Sequence, residues 1–289
     1  MNVMTEDAPA AVAGFPLSAQ QTFLLGRERA LGRPLAAAVL VDLPRGWSRT
    51  AVAALVQRHE ILRTCFVRVA GLKLPLQSPG ADMAEVETWP GDLDDEGLVA
   101  LARHKLDPAA RPLVVGIAHR AAGDRLVLAA PLHSLDQASL TLLGLELVEG
   151  AEPDADDRLH YVDYAVWQGD LLATEAGEQG RAFWRGLRDA HPSRIELPFE
   201  RMGAERTGSA RASLRRAGLA RRLSDRARSL ACAEDRLLSF LWAAFVARLA
   251  GTDRLLCALG VDGRSEETRE TAGPFARLLP VAAELPCDL

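Results

Sequence analysis

The spacing of apolar residues predicts three helices in the first third of the chain. Ser18 and Gln21 match a capping box ahead of an apolar run, so the first helix is expected to begin there. Ser48 suits the N-cap of a second helix. The positions that would face the core of that helix recur at helical spacing and are Val52, Leu55, Val56, His59 and Leu62. A third helix is expected over residues 96–106.

Short apolar runs between turn residues predict strands. Two strands are expected over residues 65–69 and 72–76, on either side of Gly71. Two more, over residues 113–118 and 126–130, are expected to form a hairpin with its tight turn at Gly123. A fourth helix is expected to follow over residues 140–148.

The second half of the chain is predicted to be mainly helical. Helices are expected over residues 178–187, over residues 219–230 with one face rich in arginine, and from a cap at Asp235 to a stop at Gly251. A short buried strand is expected at residues 255–259. Because strands and helices do not alternate strictly, the pattern predicts two α+β lobes rather than a doubly wound sheet.

Composition narrows the classes of partner. The chain has 289 residues and a net charge of −5, so nothing predicts a general attraction to nucleic acid or to an anionic membrane. No run approaches the roughly 20 apolar residues that span a bilayer, and the opening residues lack the basic region of a secretory signal. The four cysteines are scattered and no metal-ligand spacing is present. We therefore expect a cytoplasmic protein with reduced cysteines, without a metal site or a membrane segment.

Five short motifs occur in a fixed order and carry a resemblance to a known family. They are RHEILRT at 58–64, PLHSLDQAS at 131–139, YVDYAVWQ at 161–168, VDGR at 261–264 and AGPFARLLP at 272–280. Together they resemble the condensation domains of nonribosomal peptide synthetases. Such domains join two building blocks by an amide bond, each tethered to the phosphopantetheine arm of a peptidyl or acyl carrier protein. The resemblance implies no cofactor bound to the chain itself.

The resemblance also implies a fold. Family members have two lobes, each similar to chloramphenicol acetyltransferase, arranged in a V with a tunnel between them. We expect a loose leader at residues 1–14, an N-terminal lobe at 15–172 and a partial C-terminal lobe at 173–289. An incomplete second lobe is expected to expose apolar surface or a strand edge near Val281–Leu285. Such a surface favours pairing with a complementary polypeptide or with a second copy of the chain.

The histidine motif departs from the family pattern of two adjacent histidines, three variable residues, Asp and Gly. Anchoring on Asp136 places Pro131 and Leu132 at the histidine positions, so His133 lies one residue late. His133 is the candidate catalytic residue if the loop has lost one residue. Without such a deletion, one step along the chain turns a side chain to the opposite face, and His133 is then a residue of a strand–loop junction.

Other candidate site residues follow from the same resemblance. Asp136 is expected to form a structural ion pair with Arg63. Gly263, Arg264 and Arg277 are expected, with Leu132, to line the tunnel, and Arg277 stands where the family usually has Asn. The YVDYAVWQ motif is expected to serve packing through its aromatic rings.

Three functions remain open at this point. The first is an amide-forming enzyme that uses His133. The second is a recruitment or scaffold module for carrier proteins or other synthetase domains, in which catalysis is impaired. The third is a decayed remnant or an excerpt of a longer synthetase. The displaced histidine and the incomplete second lobe favour the recruitment module.

Overall fold

The computed structural model describes residues 14–43, 47, 49–80, 85–107, 113–121, 123–150, 159–190, 195–200 and 212–285. The chain divides into two compact units. Unit 1 comprises Met1–Gly177 and Asp262–Arg277, and unit 2 comprises Glu178–Val261 and Leu278–Leu289. The division predicted from the sequence, with one boundary after residue 172, placed residues 262–277 in the C-terminal lobe, whereas they belong to unit 1. Residues 1–13 of the expected leader and the expected N-cap Ser48 lie outside the described residues.

Unit 1 mixes helices and strands, as predicted. Its helices are α1 (Ala19–Leu31), α2 (Thr50–Arg58), α3 (Asp95–Lys105), α4 (Gln137–Glu149) and α5 (Tyr161–Leu172), with a 3₁₀ turn at Glu60–Arg63. Its strands are β1 (Ala36–Asp42), β2 (Thr64–Val67), β3 (Leu76–Pro79), β4 (Val86–Trp89), β5 (Val114–Arg120) and β6 (Gly123–Pro131). The capping box predicted at Ser18 is present at the start of α1.

The main sheet of unit 1 has the strand order β1-β6-β5-β4. The predicted hairpin forms its centre: β5 and β6 pair antiparallel, with Arg120 opposite Gly123. Gly123 has a φ of 137°, which favours glycine at this turn. The strand β1 pairs antiparallel with the other side of β6, and β4 pairs parallel with β5.

Alternate residues of β5 and β6 enter two different cores, because successive side chains on a strand point to opposite faces. One core contains Val115, Ile117, Leu126 and Leu128 together with residues of α2, α4 and α5. The other contains Val114, Ala118, Val127 and Ala129 together with residues of α3. The sheet is therefore covered on both faces.

Unit 2 contains most of α6 (Glu175–Ala190), then α7 (Leu219–Ser229), α8 (Glu234–Ala250), β7 (Arg254–Val261) and β8 (Arg277–Glu284). The strands β7 and β8 form a two-stranded sheet, and Arg254 at the start of β7 pairs with Glu284 at the end of β8 (2.6 Å). The helix α8 ends at Gly251 as predicted. Its N-cap is Ala233, so the predicted cap at Asp235 is wrong; Asp235 lies in the first turn.

The core of unit 2 is small. Its buried members are Ala243, Ala247, Leu255 and Leu285. Large apolar side chains on α8 are instead about half exposed: Leu238, Phe240, Leu241, Trp242 and Phe245. Leu278 and Val281 of β8 are also exposed, whereas Leu285, at the far end of the segment expected to be exposed, is buried in this core. No helix in the described part of the chain is long and apolar enough to cross a membrane.

Candidate functional site at the turn after β6

The PLHSLDQAS motif forms the connection between β6 and α4. The strand ends at Pro131, and the helix begins at Gln137. Asp136 is the N-cap of α4, and its Oδ1 accepts a hydrogen bond from the backbone N–H of Ser139 (2.7 Å). A capping aspartate satisfies a donor that the first turn leaves free. The aspartate of the motif is therefore positioned by helix capping.

Asp136 also forms a buried ion pair with Arg264. The guanidinium donates to both carboxylate oxygens, at 3.2 Å from Nη1 and 3.1 Å from Nη2. Both side chains are only 7% exposed. The same carboxylate accepts hydrogen bonds from the backbone N–H groups of Phe275 and Ala276, each at 2.9 Å. Asp136 thus ties α4 to the segment that returns from residue 262.

The predicted pair of Arg63 with Asp136 is wrong. Arg63 is the last residue of the 3₁₀ turn that leads into β2. Its Nη1 donates to the carbonyl oxygen of Gly80 (2.9 Å). Both oxygens of Asp136 are already used by Arg264 and by backbone N–H groups. Arg63 retains a local structural role, but it does not stabilise the motif aspartate.

Gly263 allows Arg264 to reach Asp136. Its φ is 76°, and a Cβ there would lie 2.2 Å from the carbonyl oxygen of Phe275. Only glycine fits both conditions. The guanidinium of Arg264 lies over the Phe275 ring, 4.7 Å from its centroid, and donates to Oγ of Ser139 (2.7 Å). We call Asp136, Ser139, Arg264 and Phe275 the Asp136 cluster.

His133 is buried in unit 1, where it contacts Glu28 and Phe66. Its side chain is 2% exposed. Nδ1 lies 3.2 Å from both carboxylate oxygens of Glu28 on α1. The ring meets the edge of Phe66 on β2, with centroids 4.6 Å apart. Glu28 also accepts a hydrogen bond from the backbone N–H of Leu35 (2.9 Å), so the pair joins α1, β1 and the turn.

Leu132, at the expected histidine position, is more exposed than His133 and packs against the edge of the main core. Its backbone N–H donates to the carbonyl oxygen of Leu35 (2.8 Å). The two adjacent residues, which lie in the turn after β6, therefore have different surroundings.

The aromatic motif on α5 packs against the returning segment. Tyr161 is fully buried, and its ring contacts that of Phe275 at 5.0 Å. Three N–H donors converge on the Tyr164 hydroxyl oxygen: Nε2 of Gln168 (2.9 Å), Nη2 of Arg277 (2.5 Å) and Nε2 of Gln20 (3.4 Å). The packing role expected for the tyrosines agrees with this arrangement, whereas Trp167 is exposed.

Burial raises the pKa of Tyr161 far above its usual range, and the carboxylate of Asp136 acts in the same direction. A hydrogen bond with Ser18 opposes this shift only in part. Because the pKa is raised on folding, the stability is fully present below the unfolded pKa of about 10 and is lost as the pH rises above it.

We therefore expect the free energy of unfolding to fall by about 1.4 kcal/mol per pH unit above pH ~10. Urea unfolding between pH ~9 and ~11 measures this slope. A Tyr161→Phe variant lacks the ionisable hydroxyl and is expected to show a clearly shallower decline. Equal slopes for the two proteins would contradict the assignment to Tyr161.

A cavity of about 580 Å³ opens between α4 and the segment after β7. Leu142 and Leu145 of α4 line one side, and Asp262, Arg264 and Arg269 line the other. His133 is not among its lining residues. The cavity therefore borders the Asp136 cluster and not the histidine.

Glu28 and Ser139 were not predicted as site residues from the sequence. Glu28 lies 105 positions before His133, and no motif marks it. Ser139 belongs to the motif, but its Oγ accepts a hydrogen bond from the backbone N–H of Gly273 (2.8 Å), a contact across 134 positions. The VDGR motif could have indicated Arg264 as the partner of Asp136, because arginine forms bidentate pairs with carboxylates.

Comparison with known proteins identifies the family. A family model described as Condensation domain matches residues 47–286. Isonitrile lipopeptide synthase from Mycobacterium tuberculosis is 32% identical over 172 residues, which cover 52% of this chain and 7% of that protein. The chain thus spans a small part of that relative.

Solved structures share the fold. The condensation domain from Monacolin K polyketide synthase MokA superposes with a TM-score of 0.77 at 19% identity, covering 94% of this chain and 68% of that one. The X-domain in its complex with OxyB from teicoplanin biosynthesis superposes with a TM-score of 0.70 at 21% identity, covering 100% of this chain and 69% of that one. With the family model matching most of its length, the chain belongs to the condensation-domain family of nonribosomal peptide synthetases.

Proposed function

We propose that this chain serves nonribosomal peptide synthesis as a recruitment module that docks carrier proteins or other synthetase domains, and that it does not form amide bonds efficiently. The observation that carries the proposal is the placement of His133. Its ring lies between Glu28 and Phe66 and is 2% exposed. The more accessible position of the same turn holds Leu132.

The chemistry explains why this placement matters. Amide formation from a thioester needs a neutral amine held close to the carbonyl carbon. A base or hydrogen-bond partner at that point contributes roughly 10²–10⁴-fold to the rate. A leucine side chain offers neither function. An imidazole acts on a substrate only when the substrate reaches hydrogen-bond distance from a ring nitrogen.

The parts of the motif that remain are structural. Asp136 caps α4 and pairs with Arg264, so the shape of the turn is maintained without the histidine pair. A module that binds partners requires this shape and does not require a base. The solved X-domain, which shares the fold, is in a complex with OxyB, so partner binding is compatible with this architecture.

A second candidate function is amide formation with His133 as the base. One observation favours it: Glu28 contacts Nδ1, while Nε2 has no hydrogen-bond partner among the described residues. A carboxylate on one ring nitrogen fixes the orientation and the tautomer of an imidazole. Catalysis then requires that the substrate reach Nε2.

A condensation assay distinguishes the two functions. Donor and acceptor carrier proteins, loaded on their phosphopantetheine arms, are incubated with the wild-type chain and with the His133→Ala and Leu132→His variants. We expect the wild-type and His133→Ala proteins to form no product above the uncatalysed aminolysis background. Robust product formation by the wild type that collapses in His133→Ala would overturn the recruitment proposal.

The controls address folding. A condensation domain with an intact histidine pair, assayed beside the chain, verifies that the loaded carriers are competent. Melting curves of each variant identify any that unfold, because removal of His133 leaves the buried Glu28 carboxylate without that partner. If the pair is structural, Glu28→Gln lowers the melting temperature, and the product stays at the background level expected for the wild type.

A further inference from the structure

The helices α7 and α8 of unit 2 enclose an open groove of about 700 Å³. Its apolar lining comes from both helices: Leu219 and Leu223 on α7, and Leu237 and Leu241 on α8. Each pair is spaced by four residues, so its two members are neighbours on one face of their helix. These four leucines form the apolar strip of the groove.

Arginines surround this strip on the α7 side. Arg216, Arg222 and Arg226 line the groove and form no ion pair among the described residues. Arg222 and Arg226 are also four positions apart and share one face of α7. The acidic residue of the lining, Asp225, is already paired with Arg228 (3.1 Å) and Arg221 (3.9 Å).

The charge of unit 2 has the opposite sign to that of the chain. Unit 2 contains 16 arginines, no lysine, and 11 aspartates and glutamates, a net charge of +5, whereas the whole chain carries −5. Arginine presents a planar fork that matches a carboxylate. The unpaired arginines beside the leucines therefore favour a ligand that combines carboxylates with an apolar face.

We propose that the α7–α8 groove is the docking site for an acidic amphipathic helix of a partner polypeptide. Such a helix places apolar residues at i, i+4 and i+7 in the strip and directs flanking glutamates to Arg222 and Arg226. A groove can accept a helix from a partner. A planar bilayer would instead contact side chains that protrude from the surface, so the groove favours a helix. The proposal rests on the recruitment function above, for which it names the surface and the chemistry of the partner.

The test uses the full chain and synthetic peptides. The probe is a fluorescein-labelled helical peptide with leucines at i, i+4 and i+7 flanked by glutamates, and its control carries glutamine at each glutamate position. Fluorescence anisotropy measures the dissociation constants. We expect the acidic peptide to bind more tightly than the control, and its binding to weaken between about 0.1 M and about 1 M NaCl, as the Debye length falls from about 10 Å to about 3 Å.

Two double variants locate the site on the helix. Arg222→Gln with Arg226→Gln removes two groove arginines, whereas Arg215→Gln with Arg236→Gln removes the same charge from exposed arginines that do not line the groove. We expect the first double variant to weaken binding about tenfold and the second to leave it within about twofold. A Leu219→Ser variant, at an exposed position, is expected to weaken binding of the acidic peptide as well.

Several results would overturn the proposal. They are the absence of peptide binding, equal binding of the glutamine peptide, equal losses in the two double variants, and sedimentation with phosphatidylglycerol vesicles in place of peptide binding. The outcome is separable from that of the condensation assay. A chain that forms amide bonds and still binds the acidic peptide at Arg222 and Arg226 refutes the recruitment function but retains the docking site.

Discussion

Replacing Asp136 by alanine is expected to lower the free energy of unfolding by about 3–5 kcal/mol. The substitution leaves the guanidinium of Arg264, only 7% exposed, without its buried carboxylate. It also removes the acceptor for the backbone N–H groups of Ser139, Phe275 and Ala276. Urea unfolding, followed by circular dichroism, measures the loss.

Asp94→Ala is the matched control for this substitution. Asp94 caps α3 as Asp136 caps α4. Its carboxylate accepts a hydrogen bond from the backbone N–H of Gly97, three residues later (2.8 Å). Asp94 is exposed, and no arginine pairs with it among the described residues. Its loss is expected to cost about 1 kcal/mol. Equal costs at the two positions would show that the ion pair with Arg264 contributes nothing.

Phe275→Ala is expected to destabilise unit 1 by about 3–5 kcal/mol. The Phe275 ring is completely buried and contacts Tyr161 at 5.0 Å, Tyr164 at 4.8 Å and Arg264 at 4.7 Å. The substitution leaves a cavity between α5 and the segment Asp262–Arg277, where the Phe275 ring packs. Hydrogen exchange is expected to accelerate at the backbone N–H groups of Phe275 and Ala276, which bond to Asp136.

The comparison variant is Phe183→Ala on α6, where the ring is 63% exposed. A surface truncation of this kind is expected to change stability by no more than about 0.5 kcal/mol. Should Phe275→Ala be as mild as Phe183→Ala, the returning segment would not be part of the folded core of unit 1.

Local patterns predicted much of the secondary structure because their causes are local. The capping box at Ser18, the hairpin turn at Gly123 and the helix stop at Gly251 each depend on a few neighbouring residues. The strand expected at residues 72–76 was misplaced: the structure pairs Leu76–Pro79 with β2. Gln77 of this strand also bridges to Phe15, 62 positions earlier, a contact that no local pattern indicates.

The candidate site was predicted in part. Family resemblance pointed to Asp136 and Arg264, but it paired the aspartate with Arg63, whereas the structure pairs it with Arg264. Which of the two arginines reaches the carboxylate depends on how closely segments distant in sequence pack together. Here the absence of a side chain at Gly263 allows its backbone to lie against that of Phe275. The contact of Glu28 with His133 could not be predicted from the sequence. Nothing in the local sequence around Glu28 distinguishes it from a solvent-exposed glutamate on a helix.

The return of Asp262–Arg277 to unit 1 affects the order in which the chain folds during synthesis. When residue 177 leaves the ribosome, Asp136 already caps α4 but still lacks Arg264 and the N–H donors of Phe275 and Ala276. About a hundred further residues must be added first, which takes about 5–20 s at typical elongation rates. Throughout this interval the apolar surface of Tyr161 that Phe275 covers in the finished fold stays exposed, and exposed apolar surface of this kind favours aggregation.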